Sequence, residues 1–199
     1  MIVKVCGITN AEDAAAAIAG GATAIGFNFY PRSPRYIAPE AAATIGTPIG
    51  VRRVGVFVNE PREAVERIVR IAVLDVAQLH GEESPDDYPN APVWKAARVN
   101  ANLDLSAYRN RLVEALLLDG PAGDLYGGAG KSFDWNLAAG MTQRIILAGG
   151  LDGSNVAAAI AAAHPWGVDA CSRIESAPGK KDYKKMTEFL QAAREAMRL

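Results

Sequence analysis

Cysteine and histidine are both scarce. Each occurs twice in 199 residues, and neither Cys6 nor Cys171 stands at a metal-ligand spacing from His80 or His164. A disulfide-stapled scaffold and a Cys/His metal centre are therefore excluded as organising features. An excess of one charge sign is missing as well. The 21 Lys and Arg against 22 Asp and Glu leave a net charge of −1, with no basic run and no acidic tail. Neither nucleic acid nor a membrane surface is invited, and the expected partner is a small molecule. No apolar stretch is long enough to span a bilayer. Met1 leads directly into an apolar strand, without a charged flank or a small-residue cleavage site, which reads as a cytoplasmic chain.

What the sequence does have is a regular alternation of short β-branched runs with helical patterns. Strands are expected over 2–6, 23–29, 53–58, 73–79, 93–97, 115–118, 144–148 and 166–170. Helix signals stand between them. Thr9-Asn10-Ala11-Glu12 reads as a capping box for 11–19, and Gly20-Gly21 suits a left-handed stop. A short helix fits 39–45, and Asn59 reads as the cap of a helix with Val65, Ile68, Val69 and Ala72 on one face. Weaker turns are expected at Ser84-Pro85 and over 103–110, and further helices after Phe133-Asp134-Trp135, near Asp152 and after Asp182. His164 reads as a C-terminal cap. Pro31 and Pro34 forbid a helix in 30–35 and predict an extended, basic loop. Eight such units over residues 1–199, with no linker, predict a single-domain (β/α)8 barrel. A doubly wound open sheet is the alternative, because strand count does not by itself establish closure.

Such folds keep their chemistry at the carboxyl ends of the strands. The polar residues found there are Cys6, Arg35, Gln78, His80, Asp119, Asp169 and Ser172. Cys6 breaks the first strand next to Gly7, and Asp119 ends an all-leucine run that gains nothing from a carboxylate for its own solvation. A thiol and a carboxyl so placed could serve as base and acid on one ligand, although a buried small hydrophobe and a simple turn cap are the plainer readings. Gly149-Gly150 and the eighth-strand loop come last in the chain, where backbone N–H groups of this fold often bind phosphate. Gly127-Gly128-Ala129-Gly130-Lys131-Ser132 ends like a P-loop, yet Leu125 stands where the first glycine is required and no strand precedes it.

Taken together, these motifs resemble the phosphoribosylanthranilate isomerase family over the whole chain. The match runs from Lys4-Val5-Cys6-Gly7-Ile8-Thr9 through Ser33-Pro34-Arg35, Gln78-Leu79-His80-Gly81-Glu82 and Leu118-Asp119 to Ala148-Gly149-Gly150-Leu151 and residues 175–182. The resemblance implies an Amadori rearrangement in tryptophan biosynthesis, an aldose–ketose isomerisation without cofactor or metal. Cys6 would be the general base and Asp119 the general acid. Arg35 would meet the anthranilate carboxylate, His80 and Ser172 would bind substrate, and Gly149, Gly150 and the eighth loop would hold the phosphate. The family pattern Asp-x-Ser-Ser-Gly-Val-Glu departs here to Asp169-Ala170-Cys171-Ser172-Arg173-Ile174-Glu175. Arg173 either strains a backbone that wants glycine or adds a charged phosphate contact. In a closed barrel Cys6 and Cys171 would end neighbouring strands, within bridging range under mild oxidation. A non-catalytic phosphosugar-binding barrel is one alternative. An isomerase that also takes the related histidine-pathway aminoaldose is another, disfavoured by Cys6 where that class carries aspartate. Monomer and homodimer are equally compatible with the sequence.

Overall fold

The computed structural model of the chain describes residues 1–99, 113–120 and 133–197. The weak helix expected over 103–110 and the glycine-rich stretch with the P-loop look-alike lie outside the described residues. Eight parallel strands run in chain order around a closed barrel: β1 (Ile2–Cys6), β2 (Ala24–Asn28), β3 (Arg52–Phe57), β4 (Val76–Leu79), β5 (Val93–Arg98), β6 (Val113–Asp119), β7 (Ile145–Leu147) and β8 (Gly167–Ala170). Closure comes from β8 pairing with β1 in the register Ile2↔Gly167 to Val5↔Ala170, which rules out the open sheet. The described helices are α1 (Ala11–Ala19), α2 (Pro39–Thr44), α3 (Arg62–Ile71), α4 (Val156–Ala163) and α5 (Tyr183–Ala196). A small antiparallel ribbon, β9 (Glu175–Ala177) and β10 (Lys180–Lys181), precedes α5.

Side chains alternate along each strand between the barrel interior and the helix-covered outside. Outward-facing Val3, Val5, Phe27, Leu79, Leu116, Leu118 and Val168 share one buried cluster with Ala14, Val65, Val156, Phe189 and Leu190 of the helices. Inward-facing Ala24, Val54, Val76, Trp94, Leu117 and Ile146 fill a second, smaller core. Nearer the carboxyl ends the same inward rows turn polar, with Lys4, Gln78, Asp119 and Asp169 all buried. The amino-terminal mouth is plugged instead. Trp94 and Trp166 meet edge-on with centroids 5.9 Å apart, and Glu114 accepts from Arg52 Nη1 at 2.6 Å, Arg52 Nη2 at 3.0 Å and Trp94 Nε1 at 3.0 Å. Glu114→Ala strands these donors, and thermal unfolding is expected to register a loss of about 1–3 kcal/mol. The opposite mouth, and with it kcat, is expected to be unaffected.

Several local signals resolve differently in three dimensions. The cap of α1 is Asn10, whose side chain accepts from Asp13 N; Thr9 donates instead to Gly179 O at 2.6 Å. Gly20 is right-handed and Gly21, at φ 100°, supplies the left-handed stop. Asn59 is not a helix cap. It sits at φ 53°, a region asparagine tolerates, and its Oδ1 accepts from Glu82 N at 2.7 Å, while α3 starts only after Pro61. Val73 also turns left-handed, at φ 50°, which delays β4 to Val76. Residues 30–35 are not extended. Ser33 N bonds Tyr30 O at 2.9 Å and Tyr36 N bonds Ser33 O at 3.1 Å, two successive turns with Pro31 and Pro34 each in the second position that proline favours. Phe133-Asp134-Trp135 opens only a 3-10 turn, Trp135–Ala138, and α4 starts at Val156, four residues beyond Asp152, whose carboxylate accepts from Ser154 N. Asp182 and His164 cap as expected, the latter left-handed at φ 45°.

Candidate active site

Cys6, Arg35, His80, Asp119, Gly149, Gly150, Ser172 and Arg173 all line one cleft at the carboxyl ends of the strands. Gln78 and Asp169, noted at strand ends, line it too, as do Asn28 and Cys171.

Cys6 ends β1 with its side chain turned inward over Gly26. A Cβ on Gly26 would stand 2.8 Å from Cys6 Sγ and 3.0 Å from Lys4 Cε, so glycine opposite makes room for both. Lys4, two residues earlier on the same row, is fully buried and pairs with Asp169 Oδ2 at 2.9 Å. Burial opposes its charge, but Asp169 and Cys6 outweigh burial and raise the ammonium above its ordinary value. The thiol of Cys6 is drawn well below the usual range. Its hydrogen bond with Cys171 is the largest cause, and the charges of Lys4 and Lys181 add to it against burial. Burial pushes Asp169 up to about 7 despite Lys4, aided by the negative charges of Cys6 and Asp119. Its Oδ1 has no partner among the described residues.

Asp119 is the last residue of β6 and is buried. His80 Nε2 lies 3.3 Å from its Oδ2, while Gln78 Nε2 lies 3.0 Å from His80 Nδ1 on the ring's other side. Gln78 thus fixes the imidazole plane and His80 shields one flank of the carboxyl. The other flank belongs to the β7 loop. Gly149 and Gly150 adopt φ 78° and 67°, and a Cβ on Gly149 would fall 2.3 Å from Gly120 N and 2.7 Å from Asp119 Oδ1. Only glycine permits that approach. After β8 the chain makes a 3-10 turn, Ser172–Ile174. Arg173 does not occupy the left-handed region, so it carries none of the strain a glycine position could impose. Its Nε donates to Asp152 Oδ2 at 2.6 Å, tying the seventh and eighth loops together.

Arg35 reaches the cleft from the second of the two turns after β2. Glu175 holds it in a fork: Nε donates to Oε1 at 3.0 Å and Nη2 to Oε2 at 2.7 Å. Lys181 Nζ donates to the same carboxylate at 2.9 Å. Glu175 and Lys4 were absent from the expected site. Their signal was a charged residue on an inward row of a buried strand or beside it, which a partner more than a hundred residues away explains only once the barrel is closed. Among the described residues no group of His, Cys, Asp and Glu could hold a metal ion, and no helix is long and apolar enough to cross a membrane.

A closed parallel barrel with titratable groups gathered at one mouth, above a sealed apolar floor, defines a (β/α)8 enzyme of the proton-transferring kind. The family description N-(5'phosphoribosyl)anthranilate (PRA) isomerase matches residues 3–192. An N-(5'-phosphoribosyl)anthranilate isomerase of Solibacter usitatus is 68% identical over 198 residues, 99% of each chain. One of Pelobacter propionicus is 45% identical, covering 97% of this chain and 95% of its own. The crystal structure of the phosphoribosyl anthranilate isomerase from Thermotoga maritima superposes with a TM-score of 0.89 at 40% identity, covering 98% of this chain and all of that one. A phosphoribosyl anthranilate isomerase in complex with reduced 1-(o-carboxyphenylamino)-1-deoxyribulose 5-phosphate is also similar, with a TM-score of 0.85 and 38% identity over 98% and 100% of the two chains. The chain belongs to the N-(5'-phosphoribosyl)anthranilate isomerase family. It is an aldose–ketose isomerase of tryptophan biosynthesis with a small-molecule substrate.

Proposed function

We propose that Asp119 and Cys6 divide the proton transfers of this isomerisation between them. Asp119 protonates the furanose ring oxygen of N-(5-phosphoribosyl)anthranilate as its bond to C1 breaks, and the nitrogen lone pair forms the C1 iminium. That cation acidifies the C2 hydrogen, which Cys6 takes as a thiolate. The resulting enolamine gains a proton at C1 and loses the one on its C2 hydroxyl, giving 1-(2-carboxyphenylamino)-1-deoxyribulose 5-phosphate. The phosphate rests on N–H groups of Gly149, Gly150, Ser172 and Arg173. The edge of Arg35 left over by Glu175 takes the anthranilate carboxylate, for which a planar fork is suited. His80 contacts substrate beside Asp119. The observation that supports this division most directly is that a thiol beside a buried lysine and a carboxyl, three strands apart around the barrel, line the same cleft.

The deciding experiment follows the fluorescence of phosphoribosylanthranilate as it disappears, with the unaltered protein beside Cys6→Ala and Asp119→Ala. Turnover by either variant at the wild-type rate would overturn the assignment. Arg173 contributes a further, half-exposed contact to the phosphate that Asp152 partly neutralises. Arg173→Gly is expected to raise KM about threefold to tenfold with little change in kcat, and an unchanged or lowered KM rejects that contact. The whole chain acts as one domain in the cytoplasm, as a monomer or homodimer; a related enzyme of Thermotoga maritima is dimeric, and sedimentation would decide between the two states here.

A further inference from the structure

Cys171 occupies the inward position two residues beyond Asp169. The β1–β8 register, which ends at Val5↔Ala170, sets it opposite Cys6 at the next step, and both side chains line the same cleft. Both are free thiols. The other partner within reach of Cys171 Sγ is Glu175 Oε1 at 3.9 Å, but that oxygen already accepts from Arg35 Nε at 3.0 Å and Lys181 Nζ at 2.9 Å. It competes weakly for the thiol proton.

Within the sulfur pair, the surroundings decide which member keeps a proton. Cys6 has the charge of Lys4, two residues back on its own strand, beside it and feels Lys181 as well. Asp169 and Asp119 are the negative groups facing this corner, and Asp169 is tied to Lys4. Cys171 has the carboxylate of Glu175 against it, and the Arg35 and Lys181 charges that also reach Cys171 are both paired with that carboxylate. Negative charge is therefore better placed on Cys6 and the proton on Cys171.

We propose that Cys171 is a positioning residue for the isomerisation: its S–H donates to Cys6 Sγ and holds Cys6 as the thiolate that accepts the substrate C2 proton. No proton leaves Cys171 in this role. When Cys6 takes up the C2 proton the bond loses its charge assistance, and it regains it when Cys6 gives the proton up. The opposite displacements of the two thiols, Cys6 downward and Cys171 upward, accompany this arrangement.

The inference deepens the reading of Cys6 as the base, and its test separates the two. Cys6 ionisation is followed without turnover by the ultraviolet absorbance of the thiolate, with Cys6→Ala proteins as blanks. The acid limb of kcat against pH is measured in parallel. In Cys171→Ala the Cys6 midpoint and the acid limb are both expected to move upward by about one pH unit or more, with KM unchanged. Cys171→Ser keeps a donor and is expected to return most of the shift. Cys171→Val, which fills the volume without a donor, serves in place of alanine should that variant fail to fold. A midpoint that stays at the wild-type value in the donor-free variants, or that is the same in serine as in alanine, overturns the proposal. Retained turnover in Cys6→Ala would remove the base assignment instead and leave the midpoint measurement standing.

Discussion

Cys6→Ala is expected to lower kcat by about 10²–10⁴-fold with KM nearly unchanged, the span usual for loss of one positioned acid or base and equivalent to about 3–5 kcal/mol of barrel-mouth chemistry. The split between kcat and KM is the informative part. Cys6 lies among Lys4, Gly26 and Cys171 rather than among the groups proposed to hold the phosphate, so its removal is expected to leave those groups in place. Cys6→Ser should fare no better, because a hydroxyl in the same position stays protonated at any working pH. The sign of the pH dependence follows from the lowered thiol. The base form persists to lower pH than an ordinary thiol allows, and kcat falls as pH drops through the lowered Cys6 value. Stopped assays across the acid range read this directly.

Asp119→Asn is expected to cost a similar 10²–10⁴-fold in kcat. Asparagine keeps the shape between His80 and Gly149 but offers the ring oxygen an amide proton too weakly acidic to transfer. The carboxyl is packed on both flanks, by imidazole at 3.3 Å and by the Gly149 backbone, so the isosteric change is expected to leave the melting temperature close to the wild-type value. A variant that loses stability as well as turnover would point to a packing role for Asp119 instead.

The barrel was legible in the sequence because its cause is local and repeated. Short β-branched runs such as 53–58 and 144–148 alternate with helical stretches, and the strand ends announce themselves by Cys6-Gly7, Asp119-Gly120 and Gly149-Gly150. The strand-end side chains that point into the cleft were legible for the same reason, since a polar residue closing an apolar run has few other places to be. What escaped was of two kinds. Asn59 and Val73 sit in left-handed turns that resemble a cap and a strand start, because the same residue types serve both purposes and tertiary contacts choose between them. The second kind is pairing at a distance. Lys4 meets Asp169 across 165 residues of chain and Arg35 meets Glu175 across 140, and no spacing rule connects residues that only ring closure makes neighbours.

The clamp on Arg35 has a consequence for how the chain can be divided. Glu175 opens β9, and Lys181, the cation beside it, belongs to β10; both follow the last barrel strand, whereas Arg35 belongs to the first turns of the polypeptide. A product terminated after β8 would retain every strand of the ring yet leave that guanidinium without its orienting fork, an uncompensated charge at the rim. If Arg35 reads the anthranilate carboxylate as proposed, discrimination for an aromatic acid is lodged in a ribbon that adds no strand to the ring, and exchanging that ribbon between related barrels offers a route to altered substrate choice with Cys6 and Asp119 untouched.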